Sequence, residues 1–398
     1  MRLFNCEVCG QLLYFENTRC ESCGATLGYV PGVNRLSALD PAEPEGGVVQ
    51  AADGAASAQQ AAGQAADGPA ENAQAETSSQ AVGQLWRPRA DAARLHRFCD
   101  NAAHDACNWL VPEDSADTFC LACRHNRTIP DLSNPAHAAQ WRRIETAKRR
   151  AMYSFLRLGL PMRTRQEDPE EGLAFDFLAD PPAEQGPMVM TGHDNGLITL
   201  ALAEADDAER VRRRTSMGEP YRTLLGHFRH ESGHYFWDRL VRDGGRLEEC
   251  RAVFGDDSQD YGAALQRHYN EGPPEDWQEN FVSTYATAHP WEDFAETWAH
   301  YLHIIDTLEM ARAFGIGIDP RADRTGEMSA EVDFDPYRAT DIQPVMEAWV
   351  PLTAAVNSLN RCMGAADLYP FVLSPAVVRK LGFIQSLVHG EVAASGAG

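Results

Sequence analysis

Apolar residues recur at helical spacing along most of the second half of the chain. The pattern predicts helices at residues 141–158, 221–243, 291–310, 349–363 and 373–387. The mostly apolar run GLITLALAEA, residues 196–205, is bounded by polar residues and predicts a strand. Because strands are fewer than helices in this pattern, the fold class is α+β, mostly helical with a small sheet.

Composition divides the chain into regions. Residues 1–36 are rich in cysteine, and residues 85–135 hold a second cysteine group. Between them, residues 37–84 are dominated by Ala, Gly, Gln and Ser and contain seven acidic residues but no Lys or Arg. Such a stretch buries too little apolar surface to offset its ordering entropy, so it predicts a flexible, disordered linker. Residues 136–390 form the main domain.

The chain is strongly acidic, with a formal net charge of −23 over 398 residues. A surface of this sign repels phosphate backbones, so nucleic-acid binding is disfavoured. Two basic clusters interrupt the acidity, and we interpret both as solvated helix faces: residues 142–150 and 210–214. The start, MRLFNCEVCG, has no apolar signal core, and no run is apolar enough to cross a membrane. We therefore expect a cytoplasmic protein with reduced or metal-bound cysteines.

The central motif is HESGH, in which His230 and His234 flank Glu231. Residues four apart lie on one helix face, so both imidazoles can bind one ion, and imidazole suits zinc. Glu231 is displaced around the helix, where it can take a proton from zinc-bound water. The apolar neighbours of the motif argue against two ordinary surface histidines.

Catalytic zinc usually has a third protein ligand, and HPWEDFAETWAHYLH offers one. Glu292 and Glu296 share a helix face, so one can bind zinc while the other orients a ligand histidine. We favour Glu292 as the ligand and Glu296 as its supporting residue. His300 and His303 are alternatives to a glutamate ligand.

The developing oxyanion needs a hydrogen-bond donor besides the metal. We predict Tyr285 for this role, with His289 as the alternative. The strand at residues 196–205 could present its edge to an extended peptide.

Eight cysteines form two groups of four: Cys6, Cys9, Cys20 and Cys23, then Cys99, Cys107, Cys120 and Cys123. The first group comprises two Cys-x-x-Cys-Gly turns, which predict a closed four-thiolate zinc site. The second has one such pair, and His96, His104 or His125 could replace a cysteine. The second module is too short to fold on a core alone, so zinc is its expected stabiliser.

These residues resemble zincin metallopeptidases with a glutamate ligand. The chain is more closely similar to a family of bacterial zinc-binding metallopeptidases with an N-terminal zinc ribbon. The likeness rests on RFCDNAAHDACNWLVP, FCLACRHNRTIPDL, FRHESGHYFWDRLV, HPWEDFAETWAHYLH and DLYPFVL. It implies a zincin-like domain with one catalytic and two structural zinc ions, peptide or protein substrates, and the same roles for Glu292, Glu296 and Tyr285.

Two functions remain open at this point. One is an active zinc metallopeptidase, and the intact Glu231 favours it because a scaffold has no need of a general base. The other is a non-catalytic adaptor that binds a protein partner through its zinc ribbons. Hydrolysis of another amide substrate would use the same chemistry.

Overall fold

The computed structural model describes residues 2–42, 83–181, 188–217 and 221–394. The chain forms two compact units, one spanning Phe4–Cys123 and the other Arg124–Gly398 together with Met1–Leu3.

The first unit is built from short antiparallel strands. β1 (Phe4–Asn5) and β2 (Leu12–Leu13) pair as a hairpin. A second sheet has the order β3-β4-β5-β6-β7. Its strands are β3 (Leu27–Val30), β4 (Arg35–Pro41), β5 (Trp86–Pro88), β6 (His96–Phe98) and β7 (Leu110–Pro112).

The structure corrects the predicted start of the linker. β4 continues to Pro41 and pairs with β5, so residues on either side of the low-complexity stretch lie in one sheet. Its Leu39 packs with Val30, Trp86, Phe98 and Leu110 in a shared core. The cysteine-rich module at residues 1–36 is therefore joined to the second module. Leu39 supplies buried apolar surface that the average composition of the whole stretch conceals. Residues 43–82 of the predicted linker lie outside the described residues.

The second unit contains a sheet with the order β10-β11-β9-β8. Its strands are β8 (Asn126–Thr128), β9 (Ala174–Leu178), β10 (Gly192–Asp194) and β11 (Leu197–Ala201). β8 lies near the end of the predicted second cysteine module and pairs with β9 in this unit. The predicted strand at residues 196–205 is shorter, since residues 202–205 form a 3-10 turn. β11 is also interior, so the edge expected there belongs to β10, its antiparallel neighbour.

β12 (Gly317–Ile318) and β13 (Ala330–Glu331) form a separate small hairpin.

Helices make up most of the second unit, as predicted. They are α1 (Pro135–Leu158), α2 (Asp207–Met217), α3 (Leu224–Phe236), α4 (Leu247–Phe254), α5 (Tyr261–Glu271), α6 (Pro290–Ala313), α7 (Ile342–Cys362) and α8 (Pro375–Ala394). A π-helical turn, Trp237–Arg242, follows α3 directly. Among the described residues, no helix has the length and apolarity needed to cross a membrane.

Helices α3 and α6 pack very closely at Gly233. A Cβ at this position would lie 2.8 Å from the Cα of Ala295. The Trp298 indole stacks on Phe236 at 5.0 Å and donates a hydrogen bond to the Ser232 hydroxyl at 3.3 Å. Because the backbones meet at a residue without a side chain, the faces of the two helices that carry the candidate site approach each other.

We predict that Gly233→Ala destabilises the second unit. The added methyl group collides with backbone that cannot move as a flexible side chain would, and such overpacking costs about 1–3 kcal/mol. Thermal unfolding of the full chain measures the effect. Gly390→Ala is the control, because a Cβ there meets only an Arg246 nitrogen at 3.6 Å. Equal midpoints for Gly233→Ala and wild type would contradict this account of the packing.

Candidate metal centres

Helix α3 carries the HESGH motif and begins at a capped end. The Thr223 hydroxyl accepts a hydrogen bond from the Gly226 amide at 2.9 Å. The ligand atoms of His230, Glu231 and His234 lie within 4.8 Å of one another. His234 and Glu231 are buried, with 3% and 7% exposure, while His230 is half-buried. The motif therefore faces the interior of the second unit.

Helix α6 brings Glu292 to both histidines. Its Oε2 atom lies 3.1 Å from Nε2 of His230 and 3.5 Å from Nε2 of His234. Glu292 is 1% exposed, yet this oxygen makes no hydrogen bond. A buried carboxylate oxygen without a hydrogen bond is costly, and a cation shared with the two imidazoles would satisfy it. The donor set of two imidazole nitrogens and one carboxylate oxygen therefore fits zinc.

Glu296 lies one turn further along α6 and contacts the other side of His230. Its Oε1 lies 2.6 Å from Nδ1 of His230, and its Oε2 accepts a hydrogen bond from the Ser283 hydroxyl at 2.6 Å. This contact directs Nε2 of His230 toward Glu292. A carboxylate on the far nitrogen of a ligand histidine is the usual support for such a ligand.

The two carboxylates also set the charge of the cluster. Burial lowers the pKa of His230, but the nearby carboxylates of Glu292 and Glu296 outweigh it and hold the pKa well above its usual value. Burial acts to raise the pKa of Glu292, but the charge of His234 and the close contact with His230 keep it well below its usual value. The pocket thus stabilises positive charge between these side chains, as a divalent cation requires.

Tyr285 lies beside the motif, with its ring centroid 5.9 Å from that of His230. Burial and the charge of Glu292 raise its pKa, so the phenol keeps its proton and can donate a hydrogen bond.

His289 caps α6 and has both ring nitrogens engaged. Nδ1 accepts a hydrogen bond from the Trp291 amide at 3.1 Å, and Nε2 donates to the Gln259 carbonyl at 3.2 Å. The structure therefore leaves His289 no free donor for an oxyanion, contrary to the alternative raised from the sequence.

His300 and His303, the alternative ligands, lie among aromatic residues further along α6. Nδ1 of His300 lies 2.6 Å from the Tyr369 hydroxyl, and the His303 ring contacts Tyr221 and Trp349. Of the segment DLYPFVL, Tyr369 and Phe371 join this cluster.

Three neighbours of the site were missed as functional residues in the sequence. The Tyr261 hydroxyl donates a hydrogen bond to Oε1 of Glu292 at 2.5 Å, the Ser283 hydroxyl contacts Glu296, and the Trp291 ring lies 3.9 Å from that of His234. Trp291 was recognised only as an apolar neighbour. Tyr261 and Ser283 gave no signal, because nothing in their spacing indicates that the fold returns them to α6.

The edge strand β10 runs beside the same site. The His193 ring lies 5.8 Å from that of His234, and its Nε2 accepts a hydrogen bond from the Gly196 amide at 2.9 Å. Burial lowers the pKa of His193 to about 3, so this ring is neutral and fixes the β10–β11 turn near the motif.

Eight of the cysteines form two clusters of four free thiols in the first unit. Neighbouring sulfurs are 3.7 Å apart for Cys6 and Cys23 and 3.6 Å apart for Cys107 and Cys120. A tetrahedron with Zn–S bonds of about 2.3 Å has edges of about 3.8 Å, so these clusters match zinc geometry. The second group brings four cysteines together, and no histidine is needed to complete it.

Two four-cysteine clusters and a buried histidine–glutamate group define a zinc-binding protein of mixed helices and sheets. The model of a family described as "putative zinc-binding metallo-peptidase" matches residues 137–387, so the chain belongs to this family. A zinc-ribbon domain model matches residues 3–69 and 68–134. These matches confirm the resemblance recognised in the sequence.

Similar proteins span nearly the whole chain. Uncharacterized proteins of Mycobacterium bovis and Mycobacterium tuberculosis are 40% identical over 394 residues, covering 99% of this chain and 96% of each relative. No solved structure matches.

We predict that Cys107→Ser removes about one zinc ion per chain and makes the unit Phe4–Cys123 sensitive to proteolysis, because a short module depends on its metal. Elemental analysis and limited proteolysis of the full chain measure both effects. Cys362→Ser is the control, since Cys362 is exposed and outside both clusters. Unchanged zinc content in Cys107→Ser would contradict the assignment.

Proposed function

We propose that the protein is a zinc-dependent metallopeptidase whose catalytic ion is held by His230, His234 and Glu292. The observation that carries this proposal is the Oε2 atom of Glu292, which is buried without a hydrogen bond between the Nε2 atoms of both histidines. Family membership supports the same chemistry. The cysteine clusters would hold two structural zinc ions.

Zinc, when bound, supplies the Lewis acidity that makes water a nucleophile at neutral pH. Glu231 acts as the general base: its carboxylate accepts a proton from the attacking water and returns it to the leaving amine. Within the described part of the chain, no hydrogen bond holds this carboxylate, so its oxygens are available to the water.

The remaining site residues position the proposed ligand His230, stabilise the oxyanion and bind the substrate. Glu296 holds His230 with its Nε2 toward the ion, and the Ser283 hydroxyl holds Glu296. The protonated Tyr285 donates a hydrogen bond to the oxyanion. The edge of β10 binds the substrate backbone in extended form, so the substrates are peptides or proteins.

We predict that Glu231→Gln lowers hydrolysis by about 10²–10⁴-fold, the usual contribution of general acid–base catalysis, while zinc content and thermal stability are unchanged. The assay uses a library of fluorescence-quenched peptides, together with elemental analysis. Glu248→Gln is the matched control, because its side chain is 88% exposed on α4. Full activity in Glu231→Gln would refute the role of the base. If the wild-type protein, with zinc bound at the histidine site, cleaves none of the library peptides, the result would favour the non-catalytic adaptor.

A further inference from the structure

Helix α5 begins at the metal centre. The chain between His234 and Glu292 comprises 57 residues, and α5 lies within it. Asp260 caps this helix by accepting a hydrogen bond from the Ala263 amide at 2.8 Å. The cap places Tyr261 as the first helical residue, with its hydroxyl 2.5 Å from Oε1 of Glu292. A segment remote from the motif in sequence thus contacts the proposed third ligand directly.

The Tyr261 ring is fixed against the first turn of α6. Its centroid lies 5.3 Å from the His289 ring and 5.7 Å from the Trp291 ring, edge-on to both. Two residues before Tyr261, the Gln259 carbonyl accepts the hydrogen bond from Nε2 of His289. The phenol is therefore held by the same turn that carries Glu292, so its hydroxyl keeps a constant position relative to the carboxylate.

The two oxygens of Glu292 have different environments. Oε1 accepts the Tyr261 hydrogen bond, while Oε2 faces the two imidazoles. A carboxylate with one oxygen already hydrogen-bonded presents the other oxygen alone to a cation. A catalytic zinc site must keep one coordination position open, and a second carboxylate oxygen would fill it.

We infer that Tyr261 is a positioning residue that restricts Glu292 to coordination through Oε2 alone. The inference rests on the metal site of the proposed function but not on hydrolysis. Without the phenol hydroxyl, Glu292 can rotate, bind through both oxygens or turn away from the ion. Loss of a group that orients a metal ligand typically costs about 10–100-fold in metal affinity.

The test compares Tyr261→Phe with Tyr269→Phe in the full chain. Both lie on α5, and Tyr269 is 69% exposed. Zinc affinity of the histidine site is measured by competition with a chromophoric chelator, and His234→Ala identifies the signal from that site. We expect Tyr261→Phe to weaken zinc binding by about 10–100-fold and Tyr269→Phe to leave it unchanged.

A spectroscopic readout separates positioning from general loss of structure. Cobalt(II) is added to protein whose cysteine clusters hold zinc, and its visible absorption reports the coordination number. We expect the absorption of Tyr261→Phe to differ in intensity from that of wild type, because gain or loss of a carboxylate oxygen changes that number. Wild-type zinc affinity together with a wild-type cobalt spectrum would overturn the inference.

A double-mutant cycle tests whether Tyr261 acts on zinc binding through Glu292. In a Glu292→Ala background, Tyr261→Phe should change the residual zinc affinity by less than about twofold, because the group it positions is absent. A loss as large as in the wild-type background would overturn the inference. If metal binding depends on Tyr261 but peptides are not cleaved, the proposed function fails and this inference stands.

Discussion

The contact between Gly233 on α3 and Ala295 on α6 is the constraint on which the site depends. The two helices carry its essential groups on facing turns: His230 and His234 on one, Glu292 and Glu296 on the other. Side chains of this length reach a common ion only if the backbones are close, and at Gly233 there is no room for a Cβ. The stacking of Trp298 on Phe236 holds the same face together from within the core. Packing thus sets the distance between the two histidines and the two glutamates of the proposed metal site.

The long segment between the two helices supplies the surroundings of the ligands. It contributes Ser283 to Glu296, Tyr285 to the side of His230 and Tyr261 to Glu292. His230 and Glu292 are therefore each oriented by a group outside the helix that carries them, and His234 packs against Trp291 of α6. The 57 residues between His234 and Glu292 have a structural role, since this part of the chain returns to build the pocket.

Much of this arrangement could be predicted from local sequence, because it follows from helix periodicity. Four-residue spacings place His230 with His234 and Glu292 with Glu296 on single faces, and two-residue spacings mark cysteine turns. The contacts of Tyr261 and Ser283 could not be predicted, since they depend on how loops return in space. β4 was missed because it has only two large apolar residues and runs into a stretch dominated by small residues. The sheet edge was expected at β11 and lies at β10, since an apolar run does not distinguish an interior strand from its neighbour at the edge.

Anomalous diffraction at the zinc absorption edge, from crystals of the full chain, tests the central claim most directly. We expect a peak at each cysteine cluster and a third within about 2.0–2.2 Å of Nε2 of His230, Nε2 of His234 and a single oxygen of Glu292. A third peak without Glu292 in its coordination, or no peak between the two histidines of zinc-saturated protein, would contradict it.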